Sequence, residues 1–550
     1  MCTDAMCTDA MCRDAMCRDA MCTDVLCTDA MCTDAINRVS TFSVVKNSFF
    51  NHMDIAITLN ANSSLALHQQ LYEELRAYIL TGKLPPGTRI LSTRAMAKSL
   101  NISRSTVTQS YELLLSEGYL ETVIGSGTYV CKELPDDLLS SIPVVLNVET
   151  GKDACSTRVK LSGYGKILAE TENVPRVHER KEEISFRYGR PAFNGFPIKL
   201  WRSLLSKYCG ASKEWLDYSI EPLGYKPLRC AIANYISRAR AVNCTAEQIL
   251  ITNGTQQALD LIMRLLIEPG NTIALEDPGY LSARLIFQTH GAKLLPIAVD
   301  DNGLLVSKLE SFSNQDIRLV YVTPSHQFPT GAVLTLPRRL ELLAWATQTG
   351  ALIIEDDYDS EYRYGDRPIP ALQGLDKSES VLYIGTFSKV LFPSLRIGYL
   401  VLPKSLVPIF TRAKWLSDRH LPILEQQVLT EFIEEGHLER HIRKMRSIYD
   451  GRRQVLVQAL HSNFGEKATI FGDKAGLHIM VHLQTHLDEN EIIQRAAQVG
   501  VGMMSASTQY LIPTCRNEFI FGYGELNEHQ LVEGINRLKT VITTNVRKCI

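Results

Sequence analysis

The residues around Lys389 could hold a ligand that carries both an aldehyde and a phosphate. An apolar run, Ser380–Ile384, leads into a turn with two hydroxyls, Thr386 and Ser388, and Arg396 follows Lys389 seven residues later. A lysine amine forms a Schiff base with an aldehyde, whereas hydroxyls and a fixed guanidinium bind a phosphate dianion. A lone lysine on a polar loop is usually an ordinary surface residue, but this spacing favours a bound ligand.

Three further groups follow predicted strands and could surround the same ligand. Gly254 opens a helix after a short strand, so its turn presents free backbone N–H groups to an anion. Tyr280 follows another strand and offers an aromatic face. Asp356 and Tyr358 come after the apolar strand Ala351–Ile354, at the edge where ligands of such sheets bind. Two of these groups have a plain alternative, a simple β–α turn at Gly254 and solvent-facing acids at Asp356.

Taken together, the chemical types of these groups fit pyridoxal phosphate. Lys389 would form the Schiff base, and an anionic Asp356 would pair with the protonated pyridine nitrogen. Tyr358 would donate to the ring oxygen, and Tyr280 would stack on the ring face. The residues predicted to hold the phosphate are Arg396, Thr386, Ser388 and the turn formed by Gly254, Thr255 and Gln256.

The segment 65–132 has the pattern of a compact helix–turn–helix module. Apolar residues recur every four positions from Leu67 to Ile79, which indicates one buried helix face. Ser92 or Thr93 is the expected N-cap of a second helix and Ser103 that of a third. Two short β runs joined by a glycine turn follow, which predicts a wing.

The charge pattern of this module favours contact with DNA. Positions 76 to 111 contain six basic residues and no acidic one. The third helix opens with side chains that can donate to phosphates or base edges, and a glycine in the wing allows close approach to a phosphate. The alternative is a solvated helix hairpin with ordinary surface charge. The residues predicted to contact DNA are Arg104, Ser105, Thr106, Thr108, Gln109 and Gly127.

Composition restricts the class of the whole chain. Its 550 residues suffice for more than one domain, and a net charge of −2 excludes a generally polycationic binder. No apolar run approaches the roughly 20 residues that span a bilayer, and no signal-peptide pattern is present. We therefore expect a cytoplasmic protein without a membrane partner. Seven of the 14 cysteines belong to one repeat and the others lack metal-like spacing, so we expect no metal.

The chain begins with a five-residue repeat. Residues 1–35 repeat Met-Cys-(Thr/Arg)-Asp-Ala, a period that suits neither a helix nor a strand. We expect disorder there, with metal binding by Cys and Asp as the alternative. Met53 could be the natural start, and a chain beginning there should fold and bind DNA. The expected divisions are a leader (1–52), a winged helix (65–132), a linker (133–182) and an α/β domain (183–545).

The module 65–132 resembles the winged-helix domain of GntR-family regulators. The likeness lies in Thr93-Arg94 of the second helix, in Ser103–Val107 of the third, and in the closing Gly-Ser-Gly-Thr of the wing. The resemblance implies that Arg94, Arg104, Ser105, Thr106 and the wing around Gly127 contact DNA.

The rest of the chain is similar to fold-type I pyridoxal-phosphate enzymes, the aspartate-aminotransferase superfamily. From Leu65 to Leu538 the whole resembles the MocR/GabR type of regulator, on the motifs Thr323–Gly331, Glu355–Glu361 and Gly385–Lys389. The resemblance implies a multidomain protein, an N-terminal α+β winged helix-turn-helix followed by an α/β aminotransferase-like domain. It also implies a head-to-tail homodimer on direct or inverted half-sites.

Two departures from the enzymes concern transamination. The asparagine that usually precedes Pro-Thr-Gly is replaced by Phe328, with Gln327 or His326 as substitutes. The usual C-terminal carboxylate-binding arginine is not obvious, which leaves Arg516 and Arg284 as candidates for binding an effector or substrate. Both departures weaken efficient transamination and leave cofactor binding intact.

We therefore predict a pyridoxal-phosphate-dependent transcriptional regulator of double-stranded operator DNA. Pyridoxal phosphate, or its imine with a small amino compound, would be the effector. We expect no physiological turnover, with a transamination half-reaction left open. The alternatives are a working aminotransferase with an accessory DNA-binding domain, and a fatty-acid- or sugar-acid-responsive repressor with a vestigial body. The intact constellation around Lys389 argues against the last of these.

Overall fold

The computed structural model describes residues 57–136, 160–171 and 182–543, apart from gaps at 61–62, 64, 212, 219–220, 313–314, 366–368 and 513–515. The pentapeptide repeat, Met53 and two parts of the predicted linker lie outside the described residues. The chain divides into two compact units, residues 1–155 and 156–550. In the described part of the chain, no helix has the length and apolar character needed to cross a bilayer.

The described part of the first unit is a three-helix module with a two-stranded wing. Its elements are α1 (Leu67–Leu80), α2 (Thr93–Leu100), α3 (Arg104–Ser116), β1 (Leu120–Val123) and β2 (Gly127–Val130). The strands pair antiparallel. Ser92 caps α2 and Ser103 caps α3, each accepting a hydrogen bond from a backbone N–H of the first turn. The predicted second and third helices and their caps are therefore confirmed.

The predicted apolar face of α1 forms the core of this unit. Leu71, Leu75 and Ile79 are at most 2% exposed and pack with Val107 of α3. Burying several such side chains supplies most of the stability of a module this small. The first wing strand ends at Val123, one residue before the end of the run Leu120–Ile124 that the sequence predicts as a strand.

The second unit alternates helices and strands. Its helices are α4 (Gly163–Glu170), α5 (Ile198–Ala211), α6 (Lys226–Arg240), α7 (Gly254–Leu266), α8 (Leu281–Thr289), α9 (Ser307–Glu310), α10 (Leu336–Thr349), α11 (Leu372–Leu375), α12 (Val407–Asp418), α13 (Ile423–Glu434), α14 (His437–Phe464), α15 (Glu489–Gln498) and α16 (Glu528–Thr543). Its strands are β3 (Ile184–Ser185), β4 (Ile249–Thr252), β5 (Thr272–Asp277), β6 (Lys293–Asp300), β7 (Gly303–Leu304), β8 (Ile317–Val322), β9 (Leu352–Asp357), β10 (Val381–Thr386), β11 (Gly398–Val401), β12 (Ala468–Phe471), β13 (His478–Leu483), β14 (Val501–Gly502), β15 (Met504–Ser505) and β16 (Glu518–Gly522).

An eight-stranded sheet is the centre of this unit, in the order β4-β11-β10-β9-β8-β5-β6-β7. Strands β10, β9, β8, β5 and β6 are parallel, whereas β11 is antiparallel to both β10 and β4. Apolar clusters cover the sheet, as its nearly continuous buried strands require. The carboxyl ends of the parallel strands meet at one edge, which is where the predicted site residues come together.

The C-terminal part of this unit forms a second lobe, distinct from the eight-stranded sheet. The sequence analysis did not predict this division. Strands β12, β13, β16 and β15 make a four-stranded antiparallel sheet, and β14 pairs with β3. A short helix, α4, also lies within the segment predicted as a linker. The ring of Tyr164 in α4 contacts that of His290, with a centroid separation of 5.2 Å.

Candidate functional site

Lys389 lies in the turn after β10, at the carboxyl edge of the sheet. Its Nζ donates to the carbonyl of Gly189 at 2.9 Å and lies 5.8 Å from the centroid of the Tyr188 ring. Burial lowers the pKa of Lys389, while Asp359 and Asp356 act in the opposite direction. A lowered pKa increases the fraction of neutral amine, the form that attacks an aldehyde.

The three consecutive acids of β9 have three different surroundings. Glu355 accepts hydrogen bonds from the first two backbone N–H groups of α11, at 2.8 Å each. Asp357 pairs with Arg240 at 2.8 Å and accepts from Tyr383 at 2.7 Å. The sequence analysis predicted that the acids follow the strand, but β9 continues through Asp357. Side chains alternate along a strand, so Asp356 lies on the face opposite both neighbours.

The two carboxylate oxygens of Asp356 have different surroundings. Its Oδ2 accepts from Tyr321 at 2.7 Å, whereas its buried Oδ1 has no hydrogen-bond partner among the described residues. Burial raises the pKa of Asp356 to about 7, with the Tyr321 hydrogen bond opposing it and Asp357 adding to it. Buried polar atoms normally have a partner. A cationic ring N–H would supply one and would restore the anionic carboxylate.

The opposite end of the site has the groups that bind a phosphate. Arg396 donates from Nη2 to the carbonyl of Asn253 at 2.8 Å, beside Gly254 at the first position of α7. The hydroxyls of Thr386 and Ser388 lie 3.1 Å apart. A helix N-terminus, two hydroxyls and a guanidinium are together suited to a dianion.

Nine of the ten predicted cofactor residues line one cavity of about 160 Å³, and Gly254 lies next to it, against Arg396. The lining residues that the sequence analysis missed are Tyr188, Tyr321, Thr323 and Pro393. Tyr321 had a signal, since a phenol within an aliphatic buried strand requires a hydrogen-bond partner. No signal in the sequence identified Tyr188, because about two hundred residues of chain separate it from Lys389.

The suggested substitutes for the missing asparagine do not line this cavity. Phe328 does line it. The Gln327 amide donates to the carbonyls of Pro278 and Phe328 at 2.7 Å each and accepts from the Thr330 hydroxyl at 2.6 Å. It therefore holds the loop together. His326 instead contacts Tyr358.

The structure also brings neither candidate arginine into the lining of the cofactor cavity. Arg284 donates to the carbonyls of Tyr510 and Thr508 at 2.8 Å each, which ties α8 to the second lobe. Arg516 stacks on Tyr510 and lines a separate cavity of about 760 Å³. Of the arginines in the described residues, Arg396 alone lines the cofactor cavity.

The predicted DNA-contacting residues lie on α2, α3 and the wing of the first unit. Arg94, Arg104, Ser105 and Gln109 are exposed, whereas the other predicted residues, Thr106, Thr108 and Gly127, are half-buried. The Ser103 cap accepts from the backbone N–H of Thr106, which fixes the first turn of α3. This end of the helix carries the donors that could reach a groove.

One basic residue beside the wing was missed by the sequence analysis. Arg89 forms a β-bridge with Tyr129, and its side chain packs against Gly127, where an added Cβ would lie 2.9 Å from the Arg89 Nε. The glycine therefore accommodates an exposed guanidinium at the wing. The sequence did contain a signal for Arg89, because it is one of the six basic residues between positions 76 and 111, where no acidic residue occurs.

Known proteins match both units. Residues 67–130 match the model of bacterial regulatory proteins of the gntR family, and residues 197–518 match aminotransferase class I and II. The probable rhizopine catabolism regulatory protein MocR of Rhizobium meliloti is 38% identical over 485 residues, covering 88% of this chain and 95% of that protein. The chain belongs to the MocR-type transcriptional regulators. The pyridoxine biosynthesis regulator PdxR of Corynebacterium glutamicum is 29% identical over 87% of this MocR-type chain and 96% of its own.

Solved aminotransferases share the fold of the second unit of this MocR-type regulator. Kynurenine aminotransferase of Pyrococcus horikoshii has a TM-score of 0.62, and LysN of Thermus thermophilus, complexed with N-(5'-phosphopyridoxyl)-L-leucine, has one of 0.61. Each is 28% identical over 70% of this chain and 95% of its own. The predicted family and both fold classes are therefore confirmed.

The cofactor of the second unit is pyridoxal phosphate, and the residues present fit it. The free Oδ1 of Asp356 suits the ring nitrogen, Lys389 suits the aldehyde, and Arg396 suits the phosphate. When bound, this cofactor supplies an aldehyde that bonds amines reversibly and a ring that withdraws electrons. The first unit of a MocR-type regulator binds DNA, so the chain joins a cofactor site to a DNA-binding module.

Proposed function

We propose that this MocR-type regulator detects a small amino compound through the cofactor held at Lys389 and changes its operator affinity in response. The main support is that one chain combines a cavity fitted to pyridoxal phosphate with a basic winged helix. A ligand shifts a conformational equilibrium only if it binds the two states with different affinities. An amine that competes with Lys389 for the aldehyde would do so, since it frees the lysine side chain.

Binding without sustained turnover is the activity that the cavity supports best. Lys389, Asp356 and Arg396 supply what cofactor binding requires. Efficient transamination also needs a guanidinium that anchors the substrate carboxylate, and the arginine of this cavity, Arg396, already lies at the phosphate end. The effector is therefore pyridoxal phosphate itself or an amino compound that reacts with it.

We further propose a cytoplasmic head-to-tail homodimer that recognises direct or inverted half-sites. The winged helix would extend over residues 65–132 and the aminotransferase-like domain over 183–545. The connecting residues 133–182 would transmit the change between them. Two paired DNA-binding domains match the two-fold repetition common in operators.

The test measures operator affinity with a labelled fragment of the gene's own promoter and a panel of amines. The holoprotein should change its affinity about fivefold or more with one amine, the size of an ordinary coupling. Lys389→Ala should lose this response, while Lys404→Ala, at an exposed lysine, should keep it. Multiple-turnover amino transfer at roughly 1–1000 per second, without any DNA response, would instead favour the aminotransferase alternative.

A further inference from the structure

A buried histidine–aspartate pair lies behind the cofactor cavity. The Nδ1 of His326 is 3.1 Å from both carboxylate oxygens of Asp359, and the two side chains are 1% and 2% exposed. An ionised carboxylate only accepts hydrogen bonds, so Nδ1 must carry a proton. The tautomer of His326 is therefore fixed by Asp359.

The same nitrogen faces the phenol of Tyr358. The Tyr358 hydroxyl oxygen is 3.2 Å from His326 Nδ1 and 2.9 Å from the His326 carbonyl oxygen. The one proton of Nδ1 is donated to Asp359, so Nδ1 cannot accept from the phenol, whose own proton is directed elsewhere, here to the carbonyl. Tyr358 lines the cofactor cavity, so a ligand oxygen there would compete for this proton.

Close packing holds the pair in place. Gly476 has a φ of +75°, and an added Cβ would lie 2.1 Å from His326 Cε1 and 2.5 Å from an Asp359 carboxylate oxygen. On the other side, the His478 ring centroid is 4.9 Å from that of His326. Burial keeps the pKa of His478 well below its ordinary value, so this neighbour stays neutral. His326 consequently has little freedom to turn away from Tyr358.

We propose that His326, anchored by Asp359, is a positioning residue that directs the Tyr358 phenol toward the ring oxygen of the cofactor. Phe328, whose ring centroid is 6.3 Å from that of Tyr358, lines the same cavity without a donor, and the Gln327 amide is engaged within its own loop. The histidine–tyrosine pair therefore supplies the donor on this side of the cavity. The inference deepens the proposed function and rests on the cofactor being bound at Lys389.

Several charged groups around Lys389 influence the pKa of its amine. Asp359 and Asp356 raise the pKa of the free lysine, while burial, the largest influence, and Arg396 lower it. A substitution of Asp359 would change both the charge near Lys389 and the anchor of His326. The decisive substitutions are therefore made at His326, where the charge of the carboxylates is kept.

Two substitutions separate hydrogen bonding from packing at this position. His326→Asn places an amide N–H where Nδ1 lies, whereas His326→Gln, which is closer in size, places it near Nε2. The measurement is the pH at the midpoint of the visible absorbance change of lysine-bound cofactor. His326→Gln should raise this midpoint by about one pH unit, because a hydrogen bond of about 1.4 kcal/mol to the ring oxygen is weakened. His326→Asn should leave it near the wild-type value.

A double-mutant cycle tests whether the effect passes through Tyr358. Tyr358→Phe should raise the midpoint by itself, and adding His326→Gln should then shift it little further. His290→Gln is the matched control, because His290 forms a histidine–aspartate pair with Asp260 at 3.1 Å and does not line the cofactor cavity. It should leave the midpoint unchanged.

A measurement on the cofactor-free protein supplements these spectra. Imidazole ¹⁵N signals, with that of His326 assigned by its loss in His326→Asn, should show a protonated Nδ1. An Nε2–H tautomer, an unshifted midpoint in His326→Gln, or an equal shift in the Tyr358→Phe background would each overturn the inference. A wild-type protein that develops no visible absorbance with pyridoxal phosphate would defeat the proposed function itself, which is a distinct result.

Discussion

The guanidinium of Arg396 packs directly against the backbone of Gly254. A Cβ at Gly254 would lie 2.8 Å from Arg396 Nη2, and the backbone φ of Gly254 is +74°. Arg396 itself adopts a left-handed backbone with a φ of 53°. The start of α7 and the arginine that follows the lysine turn therefore form one preassembled phosphate site, which only glycine at position 254 permits.

Gly254→Ala should weaken cofactor binding by about tenfold or more. The added methyl group displaces the Arg396 guanidinium, and a charge-assisted hydrogen bond contributes about 1.5–3 kcal/mol. Titration of the visible absorbance with pyridoxal phosphate measures the affinity. Gly350→Ala is the control, since Gly350 has a φ of +76° and no heavy atom within 4 Å of the added Cβ. It should cost about 1–2 kcal/mol of folding stability and keep the affinity. An equal loss of affinity in both variants would contradict the phosphate role.

Lys389→Ala should abolish covalent attachment of the cofactor while leaving weak non-covalent binding through the phosphate site. Borohydride reduction followed by peptide mass spectrometry should find the pyridoxyl group on Lys389 of the wild type and on no peptide of the variant. Lys404→Ala should be labelled as the wild type is. A pyridoxyl group on another lysine in the wild type would mean that the wrong residue was chosen.

The affinity for pyridoxal phosphate should fall as the pH decreases below about 7. Burial raises the pKa of Asp356 to about 7 without the cofactor, and a cationic ring N–H would lower it in the complex. A carboxyl whose pKa falls on binding strengthens the complex above its free pKa and loses that contribution as the pH drops toward the bound value. Asp356→Asn should bind more weakly at pH 8 and lose the dependence between pH 7 and 5. An unchanged profile in Asp356→Asn would exclude this pairing.

Arg104→Ala should weaken operator binding about fivefold to a hundredfold, because a specific arginine contact contributes about 1–3 kcal/mol. The operator affinity is measured by fluorescence anisotropy at a fixed salt concentration. Arg318→Ala, at an exposed arginine of the second unit paired with Asp316, controls for a simple loss of positive charge. Operator affinity that stays at the wild-type value in Arg104→Ala would remove this residue from the DNA interface.

Local signals in the sequence determined the chemical types at the site and most of the winged helix. The four-residue apolar period of α1 and the caps Ser92 and Ser103 act within a turn or two of the chain, so they are visible without a fold. The same holds for Lys389 and Arg396, which lie on one short turn. Strand ends depend on the neighbouring strands, and β9 continues past Ile354 because its backbone pairs with β10 as far as Asp357.

Only the tertiary structure decided how these groups are used. Which of three adjacent acids faces the cofactor depends on the side of β9 that Arg240 and α11 occupy. The contact of Lys389 with Gly189 depends on the sheet order and on the second lobe. The engagement of Gln327 and the pairing of His326 with Asp359 likewise follow from packing. Such contacts join residues far apart in the chain, and no local periodicity encodes them.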